Sequence, residues 1–153
     1  MRFLCLCLIL NLLITACTAS NHRYNDTIHY YSTTTQKPYD DVLSELKIAI
    51  TDQNFRITSH SRVGKVIRQR DNIEFPNYDT IQFCNLTHAK TLLELSPETV
   101  RHMPCSVVVY DNGNNVTVTA RLLPTDTEDK KVNKFSNRMN SLLREIVDFA
   151  VDD

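Results

Sequence analysis

The stretch Cys105-Ser106-Val107-Val108-Val109-Tyr110-Asp111-Asn112-Gly113-Asn114-Asn115-Val116-Thr117-Val118-Thr119-Ala120-Arg121-Leu122 decides the fold of this chain. Cys105 to Tyr110 and Val116 to Leu122 read as strands, rich in β-branched residues. Between them, Asp111-Asn112-Gly113-Asn114 is a hairpin signal, because Asn-Gly accepts positive φ cheaply. Beyond the hairpin, Val132, Phe135, Met139, Leu142, Leu143, Ile146 and Ala150 recur at helical spacing and predict a long C-terminal helix with one apolar stripe. Asp126, Glu128 and Asp129 precede that helix, where acids favour the positive end of its dipole.

Towards the N-terminus the pattern repeats. Ile28 to Thr35, rich in Tyr and Thr, predicts a strand. Pro38 opens a helix with Asp40 and Asp41 in its first turn, and Tyr39, Val42, Leu43, Leu46, Ala49 and Ile50 form its apolar face. Phe55-Arg56-Ile57-Thr58-Ser59 alternates as a strand, Val63 to Arg70 reads as a short basic helix, and Tyr78 to Phe83 is a further strand. Asn85 is placed to cap a helix holding Leu86, Ala89, Leu92 and Leu93; Ser96-Pro97-Glu98 restarts a shorter turn with serine as cap. The order is β-α-β-β-β-β-α with small inserted helices. An antiparallel sheet burying one face under two long helices follows, a layered α+β domain over residues 28–153.

The first sixteen residues carry a different signal. Arg2 is followed by an apolar run from Phe3 that continues, apart from Asn11, to Ile14. This is shorter than the roughly 20 apolar residues a membrane-spanning helix needs, and it fits a signal peptide. The run ends in Ile14-Thr15-Ala16-Cys17, which resembles the lipobox of bacterial lipoproteins. The resemblance implies cleavage after Ala16, lipid (palmitate among its acyl chains) on Cys17, and a tether over 17–27. Thr18 stands where an aspartate would retain such a protein in the inner membrane, so the outer membrane, facing the periplasm, is the expected location. Three N-x-T matches at Asn25, Asn85 and Asn115 are read as chance in a bacterial chain.

Removing Arg2 leaves 16 basic against 18 acidic residues, a slightly acidic domain with no basic block. That argues against nucleic acid as a partner. Of five cysteines, Cys5 and Cys7 leave with the signal peptide and Cys17 is capped by lipid, so Cys84 and Cys105 remain. In an oxidising compartment an isolated pair reads first as a structural disulfide or inert buried thiols, then as a redox pair. His88, His102 and Met103 stand near these cysteines in sequence, and the five together are candidates for a soft metal such as Cu(I), or for Zn(II) without the methionine. Strand parity does not favour the pairing, since Ile81 and Phe83 share a face that Cys84 does not.

Tyr39 to Leu123 resembles the domain-of-unknown-function family 302. The matching stretches are Asp40-Asp41-Val42-Leu43, Ile81-Gln82-Phe83-Cys84-Asn85, Met103-Pro104-Cys105, and the Asn112-Gly113 hairpin. The resemblance implies a fold like the β-α-β(4)-α unit of the TATA-box-binding protein and no established reaction. Cysteines stand at both Cys84 and Cys105 only in a subset of that family.

Conventional catalysis finds little support. Ser59-His60-Ser61 does not assemble a triad, because neighbours on a strand point to opposite faces. Gly64 and Gly113 are the only glycines, so no phosphate-cradling loop exists, and no Cys-x-x-Cys-His haem-attachment motif is present. Arg62, Lys65, Arg68 and Arg70 read as a solvated helix surface before they read as an anion-binding face. The leading expectation is a non-enzymatic envelope lipoprotein, cofactor unknown, that takes a small ligand or a protein partner between sheet and helices. The competing one is a thiol-redox or soft-metal-handling protein using Cys84 and Cys105. A homodimer through the sheet face is a third.

Overall fold

The computed structural model describes residues 28–152; the signal peptide, Cys17 and the tether of the sequence reading lie outside the described residues. The elements are β1 (His29–Thr35), α1 (Tyr39–Asp52), β2 (Arg56–Arg62), α2 (Val63–Asp71), β3 (Tyr78–Cys84), α3 (Leu86–Leu95), a 3₁₀ turn (Pro97–His102), β4 (Cys105–Asp111), β5 (Val116–Leu122) and α4 (Lys130–Val151). The five strands form one sheet in the order β1-β5-β4-β3-β2, every pairing antiparallel. β1 and β2 stand at opposite edges, so α1 carries the chain across the sheet between them. This is the expected α+β architecture.

Helices α1 and α4 pack on each other and on one face of the sheet. Val42, Leu46 and Ile50 of α1 meet Leu143, Ile146 and Val147 of α4 above Ile81, Phe83, Val107, Val109 and Val118, all fully buried. Burying such side chains contributes about 1.5–3 kcal/mol each, which is why the apolar stripes of α1 and α4 dictate the layering. The hairpin turn forms as its residues require. Gly113 takes φ +89°, Asp111 Oδ1 accepts from Gly113 N, and Asn112 Oδ1 accepts from Asn114 N and Asn115 N.

Three local expectations are corrected. The register of β2 shifts between Ile57 and Ser59, so strict alternation from Phe55 fails, and Ile57, His60 and Arg62 share the helix-covered face. Leu86 is 82% exposed and Leu92 is the buried leucine of α3, because Leu86 occupies the first position after the cap, turned away from the sheet. Ser96 precedes the 3₁₀ turn but makes no side-chain cap; Thr99 Oγ1 instead donates back to Ser96 O. Asn85 does cap α3, accepting from Thr87 N and His88 N, and Asp129 caps α4 through Lys131 N and Val132 N.

Candidate functional site

β3 and β4 lie side by side, and Phe83 pairs across to Cys105. Cys105 therefore shares the helix-covered face with Phe83, Val107 and Val109. Cys84 is the last residue of β3, where the chain leaves the sheet for the Asn85 cap. Its strand parity is opposite to that of Phe83, yet both cysteines line one recess between this end of the sheet, α3 and α4. The recess holds about 30 Å3 and opens on one side. That is room for roughly one or two water-sized groups.

Local chemistry fixes each wall. The Asn85 side chain, besides capping α3, donates from Nδ2 to Asn54 O at 2.9 Å, which ties the start of α3 to the turn after α1. This holds His88 over the recess between Phe55 and Phe135, ring centroids 6.0 and 6.1 Å away. Burial against these rings, with the Arg138 charge adding to it, lowers the His88 pKa from the ordinary 6.5, so the imidazole is held neutral. A second wall is the segment His102-Met103-Pro104-Cys105, fastened by Arg121, whose Nη2 donates to His102 O at 3.0 Å and Pro104 O at 3.3 Å. The back wall is Leu123 with Phe135 and Met139 of α4. Leu123 is pinned through its backbone: its N donates to Asn140 Oδ1 at 2.8 Å and its O accepts from Asn140 Nδ2 at 2.9 Å.

The cysteines are free thiols in this structure, and no disulfide joins them. Burial pushes the Cys105 thiol up to about 11, and the neighbouring Cys84 adds to the shift while Arg121 opposes it. The thiol is thus protonated, and a poor nucleophile, at neutral pH. All five candidates from the sequence, Cys84, His88, His102, Met103 and Cys105, line the recess. Among the described residues, however, no group of three or more His, Cys, Asp or Glu side chains is arranged to hold a metal ion. The arrangement offers soft sulfur and neutral nitrogen to something small.

A polar cluster at the opposite end of β3 escapes the sequence reading. Asp79, 4% exposed, lies 2.7 Å from His60 Nε2 and 3.6 Å from Arg62 Nε. The Tyr39 hydroxyl faces this carboxylate and donates to Val109 O; burial first, then the Asp79 charge, holds its pKa well above the usual phenol range. The β2 register shift brings His60 and Arg62 inward, and alternation alone gives no sign of that. Three of the four cations read along the basic helix have partners. Arg62 faces Asp79, Arg68 donates to the carbonyls of Phe75 and Pro76 and to Asn77 Oδ1, and Arg70 pairs with Asp71.

The profile of the family described as domain of unknown function DUF302 matches residues 31–148. Among solved structures, the chain is similar to the uncharacterized conserved protein DUF302 from Bacillus stearothermophilus. The TM-score is 0.69 at 16% sequence identity, covering 79% of this chain and 97% of that one. At that identity the likeness bears on the fold alone. A search of curated proteins finds no match.

Proposed function

The chain belongs to the DUF302 family, and from that premise we propose that it is a small-ligand-binding module, held at a bacterial envelope membrane by lipid on Cys17. The observation that supports ligand binding is the recess at the Cys84–Cys105 end of the sheet, lined by apolar rings, sulfurs and imidazoles. Binding sites of this kind are concave and mostly apolar with a few convergent polar groups. Its volume of about 30 Å3 restricts the ligand to an ion or a molecule of very few heavy atoms. The anchor rests on Ile14-Thr15-Ala16-Cys17 in the sequence, and no helix among the described residues is long and apolar enough to cross a membrane.

Xenon tests the recess directly, because it reports small, weakly polar spaces without needing hydrogen bonds. Dissolved xenon is expected to shift the amide signals of Leu92, Cys105 and Phe135 in the wild-type chain, and to leave them unmoved when Ala89→Leu fills the space. Equal shifts in both proteins would sink the reading. The anchor is tested separately: Cys17→Ser should move the full chain from the membrane to the soluble fraction of an expressing bacterium.

A thiol-redox reading has the two free thiols in its favour. The raised pKa of Cys105 weighs against it, since exchange starts from a thiolate.

A further inference from the structure

Resting on that reading of the recess, we propose that its ligand is a soft monovalent d¹⁰ cation of the Cu(I) class, held between the Cys84 and Cys105 sulfurs with the Met103 thioether beside them. The lining selects by elimination. A structural Zn(II) site takes four tetrahedral ligands, and no group of even three His, Cys, Asp or Glu side chains is arranged to hold a metal among the described residues. Hard cations such as Ca²⁺ and Mg²⁺ need carboxylate or carbonyl oxygens, whereas no carboxylate lines this recess. Thiolate and thioether are the donors that suit Cu(I), and two or three of them satisfy it.

Cys105 sits opposite Phe83, Cys84 follows Phe83 where β3 ends, and both cysteines line the one recess together with Met103. Binding is a ligand exchange without electron transfer. The ion enters as Cu(I), two S–H protons leave to solvent, and two S–Cu bonds form. The resulting bis-thiolate complex carries one net negative charge. Arg121, which holds the His102–Pro104 segment at the recess wall, offsets it. The open side of the recess supplies an entry path, and its volume of about 30 Å3 suits a single ion better than an organic molecule.

The test uses the full-length chain with Cys5→Ser, Cys7→Ser and Cys17→Ser, reduced and without oxygen, titrated with Cu(I) against the competing chelator bicinchoninate. One ion per chain is expected, with a thiolate-to-copper charge-transfer band. Cys84→Ser and Cys105→Ser should each weaken binding at least about 100-fold, the upper end of what losing a mere supporting group does. Zn(II) should not compete. Should a variant misfold, the parent still decides the matter, because bound Cu(I) must protect both Cys84 and Cys105 from alkylation, read by peptide mass spectrometry. Absence of binding, binding indifferent to either serine change, or Zn(II) binding of equal strength overturns the proposal. If Cu(I) fails while xenon still enters, only this inference falls; if both fail, the recess reading falls with it.

Discussion

His60 Nε2 and Asp79 Oδ2 lie 2.7 Å apart, joining the edge strand β2 to β3 beneath the start of α1. Asp79 is 4% exposed, and the Arg62 guanidinium Nε stands 3.6 Å from it. A buried carboxylate keeps its charge only when donors surround it. His60→Ala leaves Asp79 with the longer Arg62 contact and the facing Tyr39 hydroxyl, and is expected to cost about 2–3 kcal/mol in urea unfolding. Asp79→Asn retains a hydrogen-bonding group and should cost less. Equal stability of His60→Ala and wild type would show that the pair contributes nothing.

Asn140 of α4 bonds both backbone groups of Leu123, at 2.8 and 2.9 Å, in the buried interior. Asn140→Leu keeps the volume but strands a buried donor and a buried acceptor, each worth about 1–3 kcal/mol. A loss of roughly 2–4 kcal/mol is expected by thermal or urea unfolding. Because Leu123 forms the back wall of the recess, the same change should also alter xenon or Cu(I) binding. Amide hydrogen exchange at Leu123 checks the mechanism: it should accelerate by far more than the global loss of stability explains.

Gly64 in α2 presents two opposing effects. Alanine is the better helix former by about 1 kcal/mol. A Cβ here, however, would lie 2.2 Å from Pro76 O and 2.8 Å from Tyr78 N, both backbone atoms that cannot rotate away. The clash wins, and Gly64→Ala is expected to lose roughly 1–2 kcal/mol net. A gain in melting temperature would show that the 72–77 loop yields freely.

These three sites show where sequence reading succeeds and where it stops. The stripe from Val132 to Ala150, the face of α1 and the Asn112-Gly113 turn are local patterns, and each maps directly onto a period or a φ preference. Ser136 and Asn140 break the apolar stripe yet are buried, because what satisfies Asn140 is the backbone of Leu123, 17 residues away. The His60–Asp79 pair depends on a register shift after Ile57 that turns His60 inward against simple alternation. Cys84 has the wrong parity for the core and reaches the recess because its strand ends there. The candidate site was legible as five residue names; its lining by Phe55, Asn85, Phe135 and Met139 needed the packing.

His88 predicts an acid dependence. Burial holds its folded pKa below 6.5, so the unfolded chain takes up the proton first as pH falls. The associated stability is fully present above about pH 6.5 and declines below it. Carboxylates also titrate in acid, so the informative quantity is the difference between wild type and His88→Gln. That difference should shift against the wild type between about pH 7 and pH 5. A difference independent of pH would mean the imidazole is solvated.

Cys105 predicts the opposite limb. Its thiol is pushed from the ordinary 9.0 to about 11, chiefly by burial and then by Cys84. Between those values the folded chain retains a proton that the unfolded chain releases, so stability should fall as pH rises above 9. The same shift governs reactivity, because iodoacetamide attacks the thiolate. At pH 8 Cys105 should alkylate far more slowly in the native chain than in urea, with a native rate that keeps climbing towards pH 11. Burial alone also slows labelling, but it does so equally at every pH; the pH profile separates the two causes. A native rate that levels off near pH 9 would place Cys105 in water, and the buried, soft-lined character of the recess would go with it.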